Sequence, residues 1–531
     1  MSFVSNLVGF TKKSDLPKLG KSFTYNMYVE TKDAGEHAFN TILKPMPGYS
    51  QLLVLDDSTP NARGMYKVSR GHDGKPKVYG VWGSSLYLVT ETNYYKIGTL
   101  SNNSGHCTFA ETSGYGNTHP HLCICDGNKV FAVDTTLDNT SQSQDFREIL
   151  LPYCYPDQAP NRISASWICY LYGYLIVGQN NSDIFYTSYQ YPFESVDDDG
   201  NIIYDIFMAK ADNEETAGYG KWTMSEWQPD NTLIGCSNGS RLFTFGERSF
   251  QVFTYQSSQD TPFASPDTAS KNIGIKNKNS LALFGDNTYW LGSSDMGSNI
   301  VYAMGADANP VRISTDEIEA IIDKCDKSAI QSCCFLWHSH PFYILNFTTS
   351  KTTIVYDIKE KGWFNLGSRL NDGTEGCWRY SYAQMNPDGG IWLQCYGKMV
   401  EACEPKLNTS GLWEGNWFEH DDTPILRKRA GGMLSVDHKP FKIGSIKLLM
   451  NNGDFPLILD RAPLITMRYS SDGVTWKNTG TYSLGKVGQY DYDIVFRHLG
   501  KVTFMTIEVG SSENIGFALY GMEVNGISCK K

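Results

Sequence analysis

Long apolar runs and helical periodicity are both scarce in this sequence. No apolar stretch approaches the ~20 residues of a membrane-spanning helix, so no helical span is expected. Positive charge is in deficit: 46 Lys and Arg stand against 57 Asp and Glu, a net charge of −11. Grip on a nucleic-acid backbone comes mainly from Lys and Arg. The chain is therefore a poor DNA binder, though DNA could slide past such a surface without sticking. Thirteen cysteines are present, but no C-x-x-C pair occurs, and Cys333–Cys334 is the only adjacent pair. Most lie in apolar contexts, such as Cys169 in SWICYLYGYLIVG and Cys395 in GGIWLQCYG. They read as small buried hydrophobes of a protein folded in a reducing cytosol. G-x-S-x-G, H-E-x-x-H, Walker A and the dinucleotide fingerprint are all missing. The start, MSFVSNLVGFTKK, lacks a full signal-peptide apolar region and a small-residue cleavage site, so synthesis in a cytoplasm is expected.

What is present is a strand-forming chain. Hydrophobic residues make up 41% and charged residues 19%, with 32 Tyr, 12 Trp and 49 Gly. That mixture favours strands and tight turns in a folded globular protein. One amphipathic helix is expected at about 315–325. Ser314 and Glu317 form an S-x-x-E capping box, and Ile318, Ile321, Ile322 and Cys325 make one apolar stripe. Elsewhere hairpins recur, each an apolar-aromatic strand, a polar turn and a second strand. They begin near Ser84, Leu122, Leu171, Arg241, Asn287, His340 and Gly389. They return roughly every 40–65 residues, close to the length of a propeller blade. The expected fold is all-β: an irregular β-propeller with an additional C-terminal β-sandwich-like domain and few short helices. A single large β-sandwich is the competing arrangement. Residues 1–65 read as an N-terminal arm and joining strands. Residues 66–405 read as the propeller, with an insertion near 196–221, and 406–531 as the sandwich.

Several stretches invite a chemical reading. In THPHLCICDG, His119, His121, Cys123 and Cys125 alternate, so in a strand they share one face. Four such residues span about 20 Å at ~6.6–6.8 Å per step, whereas a tetrahedral zinc needs its donors within ~2.0–2.3 Å of one point. A metal would need further ligands from elsewhere. The plainer reading packs Cys123 and Cys125 inward at a hairpin and leaves both histidines in the approach loop. His338 and His340 in WHSHPF meet the same objection. SSDGVTWKNTG, from Ser470, is one residue short of the Asp-box of sialidase-type propellers, a hairpin-folding device rather than a catalytic one. ILRKRAGG, from Ile425, is the only compact basic run. It reads as a solvated strand or loop face, or as an interface loop meeting an acidic neighbour. No catalytic, cofactor-binding or metal-binding residue is assigned, and no cofactor is expected.

The order of several phrases carries more than any one motif. Asn26, Tyr28, Glu30, Pro47 and Gly48 come first. Phe245, Gly246, Ile313, Ser314, Thr315, Ile318 and Glu319 follow, then Tyr356, Asp357 and Trp363. Ser470, Asp472, Gly473, Thr475, Trp476, Gly485, Gly488, Tyr490, Arg497, Leu499 and Gly500 close the series. This series resembles the packaged-DNA stabilisation proteins of short-tailed phages, the tail accessory factors of the tail hub or nozzle. Phe364 and Asn365 depart from the family's usual His-Glu. The resemblance implies a non-enzymatic virion protein of the phage tail, made in the host cytoplasm. It implies a homohexameric tube below the portal and its adaptor ring, carrying tail fibres or spikes and meeting a tail needle or plug. The tube would retain packaged DNA and pass it at ejection, without sequence-specific binding. A receptor-binding propeller adhesin at the tail tip is the alternative function, and a propeller glycosidase with paired carboxylates is a third.

Overall fold

In the computed structural model the regular secondary structure of the described residues is almost all β-strand. The structure describes residues 2–5, 7–13, 21–32, 40–55, 61–114, 119–138, 140, 146–154, 161–193, 202, 204–207, 221–257, 262–266, 269–294, 297–370, 372–408, 410, 413–431, 433–435, 438–453, 461–516 and 518–528. Of the segment 196–221 expected as an insertion, 196–201, 203 and 208–220 lie outside the described residues.

Seven small antiparallel sheets follow one another along the chain. Their innermost strands are Ala62–Val68, Thr108–Glu111, Ala165–Leu171, Thr232–Asn238, Ala282–Phe284, Ile330–Trp337 and Tyr382–Met385. Each of these meets the innermost strand of a neighbouring sheet, and Tyr382–Met385 packs back on Ala62–Val68. The ring therefore closes as a seven-bladed propeller, and each of the seven expected hairpins falls in a different blade. The last blade takes its outer strand from near the start of the chain: Gly48–Val54 pairs with Lys398–Cys403. Joining the two ends of the ring by hydrogen bonds hinders it from opening, because those bonds must break together.

Blades pack through large aromatics set against glycine. Trp167 on blade three is fully buried between Gly178 of its own sheet and Gly235 of blade four. A Cβ at those glycines would stand 2.0 Å and 2.4 Å from the indole. Trp82 of blade one donates its indole N–H to the carbonyl of Cys395 in blade seven at 3.1 Å. Arg63 is the polar counterpart. It is 1% exposed and donates to the carbonyls of Gly83, Asn102, Gly105 and Asp126. One guanidinium thereby ties a turn and a loop of blade one to the Asp126 turn of blade two.

The sixth blade does not stop at its fourth strand. Gly362–Leu366 runs beside Lys21–Tyr25, which pairs with Arg427–Ala430, and the sheet continues through Thr506–Ser511 and Leu464–Ser470 to Trp476–Ser483. This second half packs against a six-stranded sheet built from both ends of the chain. Between them lies a core that includes Leu7, Met27, Leu43, Ile446, Met467, Phe496, Ile507 and Val524. The all-β propeller-plus-sandwich reading is correct.

The helix spans Asp316–Asp323, with Ile318 and Ile322 buried. Its capping differs from expectation. Thr315 is the N-cap and makes no side-chain cap bond. The Ser314 hydroxyl is instead taken by the propeller: it accepts from the Val301 N–H at 2.9 Å and donates to Glu319 at 2.6 Å.

The late box behaves as a folding device. Asp472 accepts from the Ser470 hydroxyl and from the backbone N–H groups of Val474 and Thr475. These bonds hold its carboxyl well below the ordinary Asp value of 3.8. Such a contribution is complete above the ordinary value and is lost as pH falls through the lower folded one. Asp472→Ala is therefore expected to reduce stability at neutral pH. The gap to wild type should close in strong acid, read by urea unfolding at a series of pH values.

Candidate functional site

The innermost strands enclose a central cavity of about 410 Å³. Tyr66, Phe109, Ile168, Tyr170, Leu283 and Tyr382 face it, together with Cys107, Cys169 and Cys236. Burial pushes the Cys107 and Cys236 thiols up to about 12, with Cys169 also well above its ordinary value. These thiols are therefore weak nucleophiles at neutral pH. Glu111 is the one carboxylate among the described lining residues, and it accepts from the Ser69 N–H at 2.8 Å and hydroxyl at 3.0 Å. His106 faces Tyr382, with 2.9 Å between Nδ1 and the phenol oxygen. Enclosure by the blades pushes its pKa down to about 4. Between the ordinary value of 6.5 and about 4, the unfolded chain binds a proton that the folded chain refuses. Acidification through that window is expected to cost stability, and His106→Gln to flatten the slope, measured by thermal unfolding between these pH values.

The residues singled out by sequence fall in different places. His119 lies in a loop and pairs with Asp134 at 2.9 Å. His121, expected in the same loop, instead opens the strand His121–Cys125 and is fully buried, its ring stacked on Phe193 at 4.2 Å. Burial follows because the strand is the second of its blade, with sheet on both sides. Cys123 and Cys125 are buried in the same strand, their thiols pushed up by desolvation, Cys125 to about 12. Among the described residues no three His, Cys, Asp or Glu side chains converge as a metal site would require. His338 sits in a tight turn with Ser339, at φ 47° and 66°. His340 is buried against Asp357, Nδ1 to Oδ2 2.8 Å, with Tyr28 packed on its ring.

The basic run is neither a solvated face nor an interface loop. Arg427 and Arg429 alternate with Lys428 in a central strand, so both arginines point inward and are 1% and 3% exposed. Arg427 donates to the carbonyls of Ile425, Met46 and Trp417. Arg429 donates to the carbonyls of Leu7 and Phe10 and to the Thr24 hydroxyl. Burial pushes their pKa values down to about 10 and about 9.

Around these arginines the early motif finds its role. Asn26, at φ 55°, donates to the carbonyls of Gly367 and Leu426 and accepts the Gly367 N–H. Gly48 has Asn416 O where a Cβ would be, at 2.1 Å. Phe364, at the departure from the family pattern, is buried against Phe342. Asn365 accepts from Thr11 at 3.2 Å. Three distant stretches thus meet at one joint between blade six and the sandwich. Sequence reading missed this joint and Arg63, because an arginine among polar residues looks the same whether its partners are water or carbonyls.

Comparison with known proteins adds to this picture. A family model for phage stabilisation, described as bacteriophage P22 Gp10, beta-propeller, matches residues 9–387. No curated protein matches the sequence. Among solved structures, the WD40 beta propeller domain of Doa1 is 10% identical, covering 67% of this chain and 96% of its own, with a TM-score of 0.36. The RRP9 WD40 repeats are 8% identical, covering 68% and 99%, with a TM-score of 0.35. The extracellular domain of the putative one component system BT4673 from B. thetaiotaomicron is 9% identical, covering 68% and 41%, with a TM-score of 0.39.

Proposed function

The chain belongs to the phage stabilisation family of bacteriophage P22 Gp10, and on that basis we propose that it is a non-enzymatic virion protein forming the tail hub, or nozzle. It is a phage DNA-stabilisation β-propeller protein. In the proposed role six copies form a tube below the portal and its adaptor ring. The tube closes the channel after packaging, carries fibres or spikes, and passes DNA at ejection. The observation that carries this reading is the family match over residues 9–387.

The physical character of the chain supports it. Blade six meets the sandwich at one parallel pair, Tyr25 beside Asn365, and the Asn26 side chain and the Thr11 and Asn26 N–H groups add hydrogen bonds across the joint, so hinge motion there must break several bonds together. That suits a part under load from packaged DNA. A net charge of −11 suits a lumen that must release DNA rather than hold it. The central cavity has one lining carboxylate among the described residues, already hydrogen-bonded. A glycosidase would need a second about 5–9.5 Å away. Imaging of the intact particle tests the proposal. A sixfold ring of this chain below the portal is expected; the chain found anywhere else overturns it.

A further inference from the structure

The outward face of the fused sheet holds a trough made of two adjoining cavities of about 360 and 380 Å³. Each falls within the ~300–1,000 Å³ typical of small-ligand sites. Its origin lies in the register. Gly510 stands between Lys428 and Thr466 on the flanking strands, and without a side chain it leaves the sheet face hollow. On the opposite face of these strands Met467 and Val509 fill the sandwich core, so the floor is rigid. The walls are Gly367–Arg369, Gly373 and Glu375 on one side and Ser511–Glu513 on the other. Trp476 and Asn478, on the last strand of the sheet, close one end.

The charged residues that line this trough are balanced, three of each sign. Arg369, Lys428 and Arg468 face Glu375, Glu508 and Glu513. Lys428 pairs with Glu375, Arg468 forks onto Glu508, and Arg461 reaches Glu513 from outside at 2.9 Å. A phosphate or a polycation gains little from such a lining. The other polar lining groups are hydroxyls, among them Tyr25, Ser368, Thr481 and Ser512, and the amides of Asn26 and Asn478. The Arg468 guanidinium stands 5.1 Å from the Trp476 ring centre. Planar guanidinium and carboxylate groups at fixed spacing can bridge neighbouring hydroxyls, and the half-buried indole, with Arg468 over its ring, lines the trough with apolar surface for the C–H side of a sugar ring.

We propose that this trough binds a neutral oligosaccharide. The inference does not depend on the tail-hub reading, and its test needs only the purified full chain. Maltohexaose, mannohexaose and cellohexaose are titrated by calorimetry and by saturation-transfer NMR. At least one is expected to bind saturably, with affinity insensitive to salt because the ligand is uncharged. Trp476→Ala and Asn478→Ala should each weaken it about tenfold. Both residues lie at the sheet's rim, so unchanged circular dichroism and an unfolding midpoint near wild type check that the fold survives. Absence of saturable binding for all three up to about 10 mM, or binding that neither substitution weakens, overturns the proposal. So does salt-sensitive binding of a heparin hexasaccharide in their place. Self-association abolished by Trp476→Ala would assign the trough to a second copy of the chain and equally overturn it.

Discussion

Arg429→Ala is expected to lower the unfolding free energy by about 3–5 kcal/mol. The guanidinium meets the Leu7 and Phe10 carbonyls and the Thr24 hydroxyl in a site where water cannot replace it. Each buried acceptor left unmet costs about 1–3 kcal/mol. Removing the cation recovers part of the cost of its own burial, which keeps the total below the simple sum. Loss should be local before it is global, because two of the three acceptors belong to the segment around Leu7–Phe10. Gly9 lies close to this contact: a Cβ there would stand 3.0 Å from an Arg429 nitrogen and press on the guanidinium. Arg429→Lys keeps the charge but cannot reach three acceptors from one ammonium, so an intermediate loss is expected. Urea unfolding and limited proteolysis near the N-terminus measure both. An unchanged midpoint for Arg429→Ala would show that the joint is held by packing alone.

Trp167→Ala is expected to cost about 3–5 kcal/mol, the range for emptying a large aromatic site in a core that cannot collapse. Its environment explains the rigidity. Gly178 and Gly235 form the walls, and both lie in hydrogen-bonded strands that cannot close on the space. Trp167→Phe should lose less than half as much. Gly235→Val tests the same contact from the other side, since its side chain would enter the volume of the indole, 2.4 Å away. Thermal unfolding reads all three. If Trp167→Ala unfolds like wild type, blades three and four are not coupled through this side chain.

Much of this protein was legible without coordinates, and the reason differs from feature to feature. The hairpins were readable because alternation and turn chemistry act over a few residues. Asp472 is a clear case, since all its hydrogen-bond partners lie within three positions of it. The capping box at Ser314 does not form, because the Val301 N–H of a neighbouring strand takes the hydroxyl oxygen that would have capped the helix. Local rules cannot register a competitor that arrives from another strand. The basic run failed for the same reason. Arg427 and Arg429 look solvated until segments from the start of the chain cover them.

The sequence by itself determined the all-β class, the seven hairpins, the turn role of the late box and, through its ordered phrases, the family. All of these rest on short-range preferences or on the order of short motifs. Tertiary structure decided how the ring closes, that blade six continues into the sandwich, and which charges are buried. It also decided that the trough around Gly510 is hollow and electrically balanced. These depend on which strands become neighbours across hundreds of residues. That choice is made by the simultaneous burial of many apolar side chains and the pairing of every buried donor.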